Sequence, residues 1–201
     1  MPSQTVTQEP PHKSGAGIFI ALVPWVLFTV LVHHSSLKLG SVVALVASVV
    51  IAVPGLSKGR PKLLELGAVV TFIGFVAVAF LADPSTGDTL ARYARGIAAL
   101  LLALIAFGSL LFVPFTEQYA RDQVPEQFWN TPRFKEINRR LTILWGCVFA
   151  AMVPFHIIAG AIDTQRANLI FNWAIPIALV VWAVKHSTAG QDDAAPAQAA
   201  R

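Results

Sequence analysis

Leu63–Leu81 reads LLELGAVVTFIGFVAVAFL, nineteen residues with one charged side chain, Glu65, and no polar face. A hydrocarbon core of about 30 Å takes roughly 17–25 apolar residues in helical form. A buried helix of a soluble protein would keep a polar stripe. The stretch therefore reads as a membrane span. Five more blocks of similar character flank it: Ala16–Val32, Leu37–Val53, Ile97–Val113, Leu141–Ile162 and Ala167–Val184. Leu37–Val53 is short, rich in Ala and Ser, and starts beside Lys38, which must snorkel to the headgroups. Across all 201 residues, 55% are hydrophobic and 13% charged, about half the charge of a soluble domain. The expected fold is an all-α, polytopic membrane helical bundle, with six transmembrane helices in three hairpins plus a short interfacial helix.

The first block is expected to be a retained helix and not a cleaved signal. Residues 1–15 lack a basic leader, and His33-His34-Ser35-Ser36 is no small-residue cleavage site. Basic residues then orient the bundle. With six spans, Lys13, Lys58, Arg60, Lys62, Arg121, Arg133, Lys135, Arg139, Arg140, Lys185 and Arg201 share the side of both termini. Only Lys38, Arg92, Arg95 and Arg166 fall on the other, so both termini are expected in the cytoplasm. The polar tails 1–15 and 188–201 carry little to bury and read as unstructured. Short outer connections, His33–Ser36, Asp83–Leu90 and Asp163–Arg166, make sequence neighbours antiparallel. Cys147 is the one cysteine, so no intramolecular disulfide forms, and it reads as a small packing residue.

In lipid, helices associate where small residues let backbones approach. Gly40, Ala44, Ser48 and Ala52 recur every four residues along one stripe of the second span. Gly96, Ala99, Ala103 and Ala106 lie on the fourth at spacings of three and four, and Gly146 with Ala150 on the fifth. Pro24, Pro154 and Pro176 lie inside spans one, five and six, where each removes a helical donor and favours a kink.

The cytoplasmic loop 114–140, PFTEQYARDQVPEQFWNTPRFKEINRR, concentrates charge and aromatic groups. Phe115 and Tyr119, four apart, suggest a short helix lying along the membrane, and Phe128-Trp129 an aromatic anchor at headgroup depth. Thr131-Pro132 is a helix start, an N-cap followed by proline at the first helical position, from which a helix can run into the fifth span. Arg133, Lys135, Arg139 and Arg140 decorate its first turns. They satisfy the positive-inside rule, and they also form a candidate contact for anionic headgroups or a partner protein.

From Gly59 to about Asp193 the chain resembles a distant member of the intracellular septation protein A family. The likeness rests on Gly59-Arg60-Pro61-Lys62-Leu63-Leu64-Glu65, on Pro114 with Gln118 and Arg121, on Trp129 and Asn138, and on Asn172 between Phe171 and Trp173. It departs from that family in a longer 114–140 connection containing Thr131-Pro132 and in an extended N-terminal tail. The resemblance implies a bacterial inner-membrane protein of septation or envelope maintenance, working with cell-division or envelope proteins and without catalytic residues. Candidate lipid or partner contacts are therefore Gln118, Arg121, Trp129, Arg133, Lys135, Asn138, Arg139 and Arg140.

Chemical alternatives find little support. Glu65, His156 and Asn172 are the candidate intramembrane polar residues, and such groups are functional suspects. Lys62, three residues before Glu65, is expected to pair with it. Haem ligation needs histidines at matched depth, and only His156 is deep. Ser109 with His156 lacks the following glycine of the rhomboid-type G-x-S-G motif. No enzyme activity, cofactor or metal is expected. Nucleic-acid binding lacks a soluble basic body to carry it; the net charge of +4 comes from basic loops. The alternative reading is a small-solute transporter or channel, with Thr29, Thr71, His156 and Asn172 along a polar path.

Overall fold

A computed structural model describes residues 16–192. Helices α1 (Ala16–His34), α2 (Leu37–Ser57), α3 (Leu63–Leu81) and α4 (Pro84–Ser109) are followed by short α5 (Phe115–Ala120) and a 3-10 turn, Glu126–Phe128. Then come α6 (Pro132–Ile162), α7 (Gln165–Ala167), a π-helical turn (Asn168–Ala174) and α8 (Ile175–Asp192), with no strand among the described residues. Six helices are long and apolar enough to cross a membrane: α1 to α4, α6, and the run from Gln165 into α8. The chain is an all-α, multi-pass membrane protein.

The hairpins alternate up and down. Ile18 and Phe19 of α1, Thr116 and Tyr119 of α5, Phe134 of α6 and Ser187 of α8 border one hollow, which marks the loop end of the bundle. At the opposite, hairpin end, Arg95 of α4 bonds both Thr29 of α1 and Asn168. The expected tails 1–15 and 193–201 lie outside the described residues. Residues 188–192 were expected to be unstructured; instead α8 continues through them to Asp192.

Helix bounds depart most at α4. The expected span begins at Ile97, whereas the helix begins at Pro84, so most of the expected Asp83–Leu90 connection is helical. Asp83 is its N-cap and accepts hydrogen bonds from the Thr86 N–H (3.0 Å) and from the hydroxyls of Ser85 and Thr86. Those bonds, Ser85's foremost, hold its carboxyl well below the usual carboxylate range. The first turns of α4 are polar, so a search for apolar blocks passes over them. At its other end α4 stops at Ser109, short of Val113. The Ser109 hydroxyl donates to the Ala106 carbonyl (2.6 Å) and accepts from the Phe115 N–H (3.0 Å), closing the turn. Left outside the helix, Leu111 and Phe112 are exposed.

Packing follows the small-residue stripes. Gly40, Ala44, Ser48 and Ala52 are all buried on α2, as are Gly96, Ala99, Ala103 and Ala106 on α4. Helix α2 packs on both α1 and α3, and α4 makes its most extensive contact with α6. A Cβ added at Gly146 of α6 would stand 2.8 Å from the Phe107 ring. The short second block is thus a full helix of 21 residues. Between α1 and α3 sits an aromatic core, with Phe28 at 4.6 Å from Phe75 and 5.2 Å from Phe72 between ring centroids. Offset and tilted rings of this kind are favourable beyond their buried area.

Candidate functional site

Most buried polar groups gather at the two ends of the bundle. At the loop end, α5 forms where Phe115 and Tyr119 were expected to lie flat on the bilayer, but both side chains are turned into the bundle and buried. Hydrogen bonds hold it there. The Thr116 hydroxyl lies 2.7 Å from the Asn138 carbonyl of α6 and 2.8 Å from the Thr142 hydroxyl. The Gln118 side chain accepts from the Leu63 N–H (2.7 Å) and donates to the Val113 carbonyl (2.8 Å), joining α5 to the start of α3. Arg121 pairs with buried Glu117 at 2.6 Å and lies over the Trp129 ring, whose Nε1 donates to the Val124 carbonyl.

The expected Lys62–Glu65 pair gives way to two longer-range contacts. Lys62 bonds Asp122 at 2.6 Å and sits over the Tyr119 ring. The Tyr119 hydroxyl donates to Glu65 at 3.3 Å. Of the eight expected contact residues, Gln118, Arg121, Trp129 and Asn138 thus serve as internal joints. Asn138 is buried, its amide donating to the Phe134 carbonyl (2.9 Å). Arg133, Lys135, Arg139 and Arg140 are exposed on the first turns of α6, with Arg140 paired to Glu136.

The hairpin end holds a cluster that sequence reading found only in part. His156 and Asn172, expected as intramembrane polar groups, lie 2.6 Å apart, Nδ1 to Oδ1. An amide oxygen only accepts, so in this amide orientation Nδ1 carries the proton. The Asn172 amide donates to Asn168 Oδ1 (2.7 Å), which also accepts from Arg95 Nη1 (2.8 Å). Asn168 donates in turn to His33 Nε2 (3.0 Å). Arg95 Nε and Nη2 both reach the Thr29 carbonyl, at 3.2 and 3.1 Å. Arg95 is 8% exposed, whereas segment counting places it in an outer loop.

The π-helical turn belongs to this cluster. Pro176 has no N–H to donate to the Asn172 carbonyl four residues back, and the Ile175 N–H bonds the Ile170 carbonyl, five back. Such wide turns recur at functional sites. Beside them lies a cavity of about 330 Å³ walled by Trp25 and Thr29 of α1, Arg95 and Ala99 of α4, and His156 and Asn172. The Trp25 Nε1 is buried without an acceptor among the described residues. Of the expected path residues, Thr29, His156 and Asn172 line this cavity; Thr71 of α3 does not.

Between the two polar ends the α4–α6 seam is apolar, while Ser48 of α2 and Thr71 of α3 are buried midway along their own helices. Arg95 and Ser109 of α4, and His156 and Thr142 of α6, are each fourteen residues apart, roughly 21 Å along a helix. The buried residues between them are Ala98, Ala99, Leu102, Ala103 and Ala106 with Gly96, then Trp145, Val148, Phe149 and Met152 with Gly146. No family model, curated protein or solved structure matches this chain. Its class, a multi-pass helical membrane protein with one polar cluster at each end, rests on its own residues.

Proposed function

We propose that this protein is a non-enzymatic component of the bacterial inner membrane, related in role to septation and envelope-maintenance proteins. It anchors anionic lipids or partner proteins through its 114–140 loop, which faces the cytoplasm with both termini. One observation carries the reading. Helix α6 has 31 residues, roughly 46 Å, against a hydrocarbon core of about 30 Å. Its first turns therefore stand clear of the hydrocarbon, and the α5 joints brace them. Arg133, Lys135, Arg139 and Arg140 ride on that braced overhang. Each is worth about 1 kcal/mol near an anionic surface.

The proposed contact rests on those four exposed residues, because Gln118, Arg121, Trp129 and Asn138 make bonds within the bundle. A transporter or channel would need a polar route along the bundle. On α4 and α6 only apolar residues are buried between the two clusters, which favours anchoring instead.

The test replaces all four basic residues with glutamine and purifies wild type and variant from native membranes. Wild type should retain anionic lipids or envelope proteins that the variant loses, with equal insertion of both. Equal recovery of lipids and partners would refute the anchoring role.

A further inference from the structure

The hairpin-end cavity stands apart from the loop end and does not depend on the anchoring reading. Its wall carries a positive charge with no counter-charge. No carboxylate of the described residues lies within 4.0 Å of Arg95; the neighbouring Asp163 is paired with Arg92 instead. A guanidinium has five N–H donors. Three are engaged, two by the Thr29 carbonyl and one by Asn168. Two point to no acceptor among the described residues, in a span where water is scarce and an unmatched donor is costly. Trp25, on the same wall, adds a buried N–H without a partner among the described residues. Across the cavity His156 commits Nδ1 to Asn172, and its Nε2 bonds none of the described residues.

The rest of the wall is apolar and has a side opening. Helix α8 joins the bundle through α6 and does not pack closely on α1. Val26 of α1 and Ile177 and Val181 of α8 rim that gap and are exposed, facing lipid in a bilayer. The volume of about 330 Å³ sits at the low end of small-molecule sites, about 300–1,000 Å³. It suits a headgroup with the first part of a chain, the remainder lying in the gap between α1 and α8.

We propose that this cavity binds the acidic headgroup of an amphiphile, with Arg95 as its counter-charge and the gap between α1 and α8 as the seat of its chain. A carboxylate or phosphate accepts the two unengaged guanidinium donors and the Trp25 N–H. A protonated oxygen of the same group can donate to His156 Nε2. The bound anion relieves the desolvated charge that the protein alone leaves unpaired.

Oleic acid and a phosphatidic acid serve as probes on the purified full-length protein, with methyl oleate and phosphatidylcholine as controls of matched chain. Binding is read by native mass spectrometry and by the shift in thermal midpoint. The acids should bind about tenfold or more tightly than their controls. Arg95→Gln should abolish the preference. Because that change also removes bonds to Thr29 and Asn168, two further variants leave those bonds intact. Ala99→Phe fills the cavity and should abolish binding, while Trp25→Phe removes the N–H together with part of the indole ring and should weaken it. Oleate alone binding identifies a free acid, phosphatidic acid alone a bilayer lipid, and both a general acidic headgroup. Acids and controls binding equally, or binding that survives Ala99→Phe, would overturn the proposal.

Discussion

Arg95 lies in a polar run, TLARYARG, that looks like the end of an outer loop. Its burial comes from partners 66 and 73 residues away, the Thr29 carbonyl and Asn168, and no local pattern announces contacts of that range. Glu65 teaches the same lesson, since its hydrogen-bond partner is Tyr119, 54 residues away. His156 and Asn172 were legible because a polar residue in an apolar block stands out; Asn168, near a block's edge, does not. Burial and the Glu65 carboxyl push the Tyr119 phenol far above its usual range. The stability this reflects is complete below the unfolded value of about 10 and falls as pH rises above it. The phenolate absorbance of wild type and Tyr119→Phe should therefore coincide at about pH 11. An extra phenolate in wild type would show Tyr119 to be solvated. Thr142→Val, which leaves Thr116 short of one buried partner, should cost about 1 kcal/mol in denaturant unfolding.

Among the elements, α3 was read to its bounds, Leu63–Leu81, and the buried stripe of α2 and the start of α6 were legible too. The four-residue stripe of Gly40, Ala44, Ser48 and Ala52 is buried throughout, as close helix approach in lipid demands. Thr131 caps α6 by accepting from the Phe134 N–H at 3.3 Å, and Pro132 opens the helix. The start of α4 was missed because its capping signal, Asp83-Pro84, precedes polar turns that lie outside any apolar block. The direction of α5 was missed because two apolar residues four apart fit a bilayer surface and a protein groove equally well. The stripe yields a sharp prediction. A Cβ at Gly40 would lie 2.9 Å from the Val32 side chain and 3.1 Å from its backbone nitrogen. Gly40→Val should force α1 and α2 apart and cost about 1–3 kcal/mol, read as an earlier unfolding midpoint. An unchanged midpoint would mean that the two helices pack more loosely.

For the whole molecule, composition and block length suffice to indicate six membrane-spanning helices, because a bilayer admits few other arrangements of such a chain. What those data leave open is how the polar residues divide. The structure puts the first turns of α6 at one end and the Arg95 cluster at the other, with an apolar α4–α6 seam between. That division underlies both the proposed anchoring role and the proposed cavity site. Cysteine accessibility in whole cells tests it most directly. In a Cys147→Ser background, Lys135→Cys, Ser85→Cys and Ala103→Cys place single thiols on the overhang, at the start of α4 and in the apolar seam. A membrane-impermeant maleimide should label Ser85→Cys from outside, Lys135→Cys only after the cytoplasmic face is opened, and Ala103→Cys in neither case. Labelling of Lys135→Cys and Ser85→Cys from the same side, or labelling of Ala103→Cys, would contradict the account.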